Sequence, residues 1–118
     1  MAAPEVEPRL QSSILVGALL RQAESQGGFA AVLAKGDDTS GSVLVILAER
    51  GRKLRILERL LQPDGRYSWQ VVGEQALANT EETEKFLQRR RNFDPDIWLI
   101  ELDVPSAERF AAEMNSAV

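Results

Sequence analysis

Apolar residues recur at helical spacing through Leu10, Ile14, Leu15, Ala18, Leu19 and Ala23, with Val16 and Leu20 widening the stripe. The spacing predicts a first helix, largely buried in its middle. Pro8 can open it, since its missing N–H costs nothing at the first helical position, and Gly27-Gly28 stops it. Phe29–Ala34 and Val43–Ala48 are short apolar runs separated by the turn formers of 35–41. They read as two strands joined in a hairpin. The second run is apolar on both faces, so it needs cover on each side from helices or from a partner subunit.

Residues 53–61 fit two periods. Leu54, Leu57, Leu60 and Leu61 suit a helix, whereas Leu54, Ile56 and Leu60 suit one face of a strand. The flanks favour the strand: a turn at 49–52 precedes it, and Pro63-Asp64-Gly65 leads into the alternation of Tyr67, Trp69 and Val71. A second helix begins at Asn79 or Thr80, where Asn79 and Glu82 have capping-box spacing and Glu81–Lys85 is a favourable pair. Phe86 and Leu87 form its narrow apolar face. Asp94-Pro95-Asp96 breaks it, because the residue before proline avoids helical geometry. Ile97–Leu102 is the strongest strand, and Pro105 opens a last helix with Ala107, Phe110, Ala111 and Met114 on one side. The order α-β-β-β-β-α-β-α predicts an α+β fold, a mainly antiparallel sheet of about five strands with three helices. Residues 1–8 read as a flexible acidic tail and 9–118 as a single domain. The six residues Trp69, Trp98, Phe29, Phe86, Phe93 and Phe110 read as core.

Composition narrows the chemistry. The 118 residues include neither cysteine nor histidine. This excludes disulfides, thiolate and imidazole metal sites, a cysteine nucleophile and a Ser-His-Asp triad. Any metal would be a hard cation held by oxygen. No cofactor is indicated. The formal charge of −4 repels phosphates, which disfavours nucleic acid as a partner. The start has no signal-peptide pattern and the longest apolar run, 14–20, is far too short to span a bilayer, so a cytoplasmic protein with no membrane role is expected.

Several stretches carry a resemblance: Val16-Gly17-Ala18-Leu19-Leu20-Arg21, Gly28-Phe29-Ala30-Ala31-Val32-Leu33, Gly36-Asp37 with Gly41, and Phe93-Asp94-Pro95-Asp96-Ile97-Trp98-Leu99-Ile100-Glu101. Together they resemble the small bacterial family catalogued as domain of unknown function 1491. The similarity spans nearly the whole chain, and Asp-Pro-Asp-x-Trp is its most specific part. The resemblance implies a free-standing intracellular bacterial protein and brings no activity and no catalytic residues.

Three surfaces remain as candidates. Asp37 and Asp38, in a loop with Thr39 and Ser40, have the atoms for a cation or phosphate, although such residues more simply cap their own turn. Asp94, Asp96, Glu101 and Asp103 bracket one strand, as acidic clusters of metal-dependent nucleases do. Yet Asp96 and Glu101 fall on opposite faces of a regular strand, and no lysine follows Glu101 in the nuclease pattern. The third surface is basic. If 53–61 is a strand, Lys53, Arg55 and Arg59 face away from Leu54, Ile56 and Leu60, and Arg66 joins them from the partner strand while Tyr67, Trp69 and Val71 point inward. Arg89, Arg90 and Arg91 form the one charge run, an anion clamp or a cap on the helix dipole. The expected function is a non-enzymatic binding or regulatory module that docks a protein partner, or a second copy of itself, through this basic hairpin face. The alternatives are a magnesium- or manganese-dependent hydrolase using the carboxylates, and a nucleic-acid accessory protein using the arginines.

Overall fold

A computed structural model describes residues 10–116 of the chain. The expected tail at 1–8, and Pro8 with it, lies outside the described residues. The elements are α1 (Ser12–Ser25), β1 (Phe29–Ala34), β2 (Val43–Glu49), β3 (Arg52–Leu61), β4 (Tyr67–Val71), a 3-10 turn at Glu74–Leu77, α2 (Thr80–Phe93), β5 (Trp98–Asp103) and α3 (Ala107–Ser116). Three helices and one five-stranded, mostly antiparallel sheet make an α+β fold, as expected. Asn79 caps α2 by accepting a hydrogen bond from the Glu82 amide at 2.8 Å, and Lys85 lies 3.1 Å from Glu81.

The sheet order is β1-β5-β2-β3-β4. This corrects the first expected hairpin. β1 and β2 do not pair; β5 inserts between them, antiparallel to β1 and parallel to β2. The physical reason lies in β5. Its Trp98, Ile100, Leu102 and Leu99 are all buried, so the strand needs a neighbour on each side and a helix on each face. The expected hairpin of β3 and β4 is present.

Alternation along β2 and β5 builds two cores. Val43, Val45, Leu47, Trp98, Ile100 and Leu102 point to a front face covered by α1 (Val16, Leu19, Ala23) and α3 (Phe110, Met114). Leu44, Ile46, Ile56 and Leu99 point to a back face covered by Ala76 of the 3-10 turn and by Phe86 and Leu87 of α2. The two-sided cover that β2 requires therefore comes from helices of the same chain. Two of the six aromatics expected in the core are outside it: Phe29 is 78% exposed and Phe93 90% exposed. Phe29 lies on an edge strand and Phe93 ends a helix, and neither place has a facing layer.

Candidate functional site

The loop between β1 and β2 is closed on itself. The Asp37 carboxylate accepts from the amides of Thr39 (3.1 Å) and Ser40 (2.8 Å) and from the Ser40 hydroxyl (3.0 Å). These donors hold its pKa below the usual carboxylate value, the Ser40 amide contributing most. The loop carbonyls also have partners. Those of Asp38 and Thr39 accept from the Ser13 and Ser12 amides, which α1 leaves without intrahelical partners, and that of Gly41 accepts from the Ser12 hydroxyl. The loop is thus a cap on α1. Asp38 lies 3.9 Å from Lys35 in an exposed pair.

The Asp-Pro-Asp-x-Trp segment fastens that loop to β5. Asp94 accepts from the Asp96 amide (3.1 Å), the Asp96 carbonyl accepts from the Asp37 amide (2.9 Å), and the Trp98 indole N–H donates to the Asp37 carbonyl (2.8 Å). Gly36 and Gly41 both press on the Asp96 carbonyl oxygen, which would stand 2.2 and 2.3 Å from an added Cβ. The residues that looked most specific in the sequence are therefore a staple between loop, helix and strand.

The remaining carboxylates are also engaged singly. Asp103 accepts from the amides of Arg50 (3.0 Å) and Gly51 (2.7 Å), holding the left-handed turn between β2 and β3. Glu49 accepts from the Ala107 amide at 2.9 Å and caps α3. Glu101 is 3.7 Å from Lys53. Among the described residues, no three acidic groups are placed to hold a metal ion together. Asp37, Asp38, Asp94, Asp96 and Glu101 fall on three separate features rather than one.

The basic residues are divided as well. Arg59 lies opposite Trp69, Leu57 opposite Val71 and Leu61 opposite Tyr67, so Tyr67, Trp69 and Val71 share the front face with Arg59 and not the opposite face. This corrects the expected segregation of the hairpin. A bulge between Leu47 and Ala48 adds one residue to β3 and turns Leu54 to the front core, leaving Ile56 and Leu60 on the back. The Arg59 guanidinium sits 4.9 Å from the centroid of the Tyr67 ring. Arg55 lines a cleft with Glu49, Leu54, Ala107 and Glu108. Arg90 points inward and grips Glu58 with both terminal nitrogens, at 2.9 and 2.7 Å. That hydrogen-bonded partner raises the Arg90 pKa further above its usual value. Of the seven basic candidates, Arg66, Arg89 and Arg91 are exposed and the other four are partly buried.

A feature the sequence reading passed over separates the two edges of the sheet. At the β4 edge, Gln62 donates to Arg66 and Val72 to Ile56, so even-numbered positions bond to β3 and Trp69 turns its backbone outward. Asn115 of α3 meets it there: the Trp69 amide donates to Asn115 Oδ1 at 2.7 Å, and Asn115 Nδ2 donates to the Trp69 carbonyl at 3.1 Å. At this one position a side-chain amide takes the place of a neighbouring strand.

The β1 edge has no such closure. Trp98 and Val104 donate to Ser42 and Ala48, so even-numbered positions of β5 address β2 and the odd ones, Glu101 and Asp103, address Ala31 and Phe29. Ala30 and Val32 therefore turn their N–H and C=O outward, and among the described residues nothing meets them. β1 carries no charge, and Phe29, Val32 and Leu33 are exposed along it. The run of uncharged, apolar residues was the signal available in the sequence. That the strand lies on an edge was not.

A family model described as protein of unknown function (DUF1491) matches residues 10–112. A crystal structure of a DUF1491 family protein from Caulobacter crescentus CB15 is 32% identical, with a TM-score of 0.70 over 86% of this chain and 94% of that one. An NMR structure of a DUF1491 family protein from the same organism gives 31% identity and a TM-score of 0.72, over 86% of this chain and 91% of that one. The solution structure of protein Atu0922 from A. tumefaciens gives 27% and 0.67, over 87% of this chain and 92% of that one. No curated protein matches.

Proposed function

This chain belongs to the DUF1491 family, whose function is unknown, and we propose that it is a non-enzymatic, cytoplasmic binding module that docks a protein partner through the open edge of β1. One observation carries this reading: Asn115 occupies the outward backbone of Trp69 at the centre of one sheet edge, whereas among the described residues nothing meets the outward backbones of Ala30 and Val32 on the other, along an uncharged strand with Phe29, Val32 and Leu33 exposed. Sheet edges are normally blunted by charge, proline or a covering element, because an open edge templates the addition of another strand. The occupant that fits is an extended, uncharged segment, bonded through the backbones of Ala30 and Val32 and packed on Phe29 and Val32. The bulge at Leu33 ends the regular stretch.

The basic hairpin face does not carry this reading. Lys53 and Arg90 are held by Glu101 and Glu58, and Arg55 and Arg59 share their face with core residues. Among the described residues, no helix is long and apolar enough to cross a membrane.

The test is a titration of the full chain, labelled for amide NMR, with a terminally blocked peptide of alternating valine and threonine. Shifts and slowed amide exchange at 29–32, with 67–71 unaffected, are the expected result. No response at 29–32, or an equal response at 67–71, would overturn the docking reading.

A further inference from the structure

We propose that the strand received at the β1 edge is β1 of a second copy of this chain, paired antiparallel about a two-fold axis through Ala31. The inference rests on the docking reading of β1 and specifies its partner. In an antiparallel ladder, residues that turn their backbones toward the partner exchange hydrogen bonds in pairs. Ala30 and Val32 are the outward pair, so setting Ala30 against Val32 of the second copy satisfies both ends by one symmetry operation. Ala31 then meets its own image.

The side chains agree with this register. The exposed Phe29 then lies at each end of the paired stretch, beside the bulge at Leu33 of the second copy. No charged residue lies within 29–34, so the pairing sets no like charges against each other although the whole chain is acidic. The two sheets become one ten-stranded sheet, and each outer edge is a β4 whose central residue, Trp69, is already bonded to Asn115. Asn115 at the centre of each outer edge opposes addition of a further strand there, and the two-fold pairing uses the β1 edge of both copies, which distinguishes this assembly from open-ended edge aggregation.

The contact is small. A six-residue edge with these side chains buries less than the ~1,200 Å² at the low end of stable interfaces. The dimer is accordingly weak, with a Kd on the order of 10–1,000 µM.

Sedimentation and amide exchange of the full chain across that range test the inference. The expected result is a mass rising from 13.1 kDa toward twice that value, with exchange at Ala30 and Val32 slowing in step. Ala31→Lys and Ala31→Glu change an exposed position and place like charges on the axis. Each alone should weaken association about fivefold or more, and an equimolar mixture of the two should restore it. A chain that stays monomeric up to about 1 mM would overturn the inference, as would association unchanged by either substitution. If that monomer still takes up the valine–threonine peptide at 29–32, the docking reading stands and only the second copy is wrong. If it takes up neither, both fail.

Discussion

Arg90 and Glu58 join the last turn of α2 to the back of β3 through a two-pronged ion pair with both hydrogen bonds under 3 Å. Glu58 is a buried charged residue on the back face of the sheet, its side chain 11% exposed, and Arg90 is its partner. A helix whose apolar face is as narrow as Phe86 and Leu87 gains its position as much from this fork as from packing.

Arg90→Ala leaves a largely buried carboxylate without its donors. The expected loss of stability is about 1.5–3 kcal/mol, read from urea denaturation with an unchanged m-value. Arg90→Lys should recover only part of it, since an ammonium cannot make the planar two-bond contact. Arg89→Ala and Arg91→Ala, on exposed neighbours, should stay within about 0.5 kcal/mol of the parent. Equal losses at all three positions would refute the assignment.

Asp37 supplies a pH prediction. Its folded-state pKa is below the ordinary 3.8 because the Ser40 and Thr39 donors favour the carboxylate. A depressed value means that the contribution to stability is fully present above pH 3.8 and is lost as pH falls through the folded value. Carboxyl NMR should therefore place the Asp37 midpoint below that of a free aspartate. Asp37→Asn should flatten the acid limb of the stability curve and leave the neutral region nearly unchanged in slope.

Asn115→Ala removes two hydrogen bonds from the outward backbone of Trp69. A loss of about 1 kcal/mol is expected, with faster exchange at the Trp69 amide. More informative is the change in assembly: with the β4 edge opened, species larger than a dimer should appear in light scattering at high concentration. Asn115→Ala that stays no larger than the parent would show that the side chain does not guard the edge.

The elements were legible because their signals are local. Gly27-Gly28, Pro63-Asp64-Gly65 and Asp94-Pro95-Asp96 impose turns whatever the rest of the chain does, and the period-two alternation of Tyr67–Val71 holds for any neighbour. The candidate sites were legible only as residue types. Asp37 and Asp94 proved to cap their own turns, which local sequence can do. The faces of β3 were lost to a single extra residue, since one bulge exchanges the two sides of a strand. Alternation puts Leu54 on the side of Ile56, whereas the bulge packs it with Leu57.

By itself, the sequence determined the chemistry that is absent, the three helices and five strands, and the need of Val43–Ala48 for cover on both sides. These follow from residue type and from spacing within a few residues. The tertiary structure alone decided that β5 separates β1 from β2, that Arg90 belongs to Glu58, and that Asn115 meets the Trp69 backbone at one edge while, among the described residues, nothing meets Ala30 and Val32 at the other. Each of these depends on residues far apart in the chain. Short-range periodicity constrains which way a side chain points along its own element, but it carries no information about which distant backbone lies beside it.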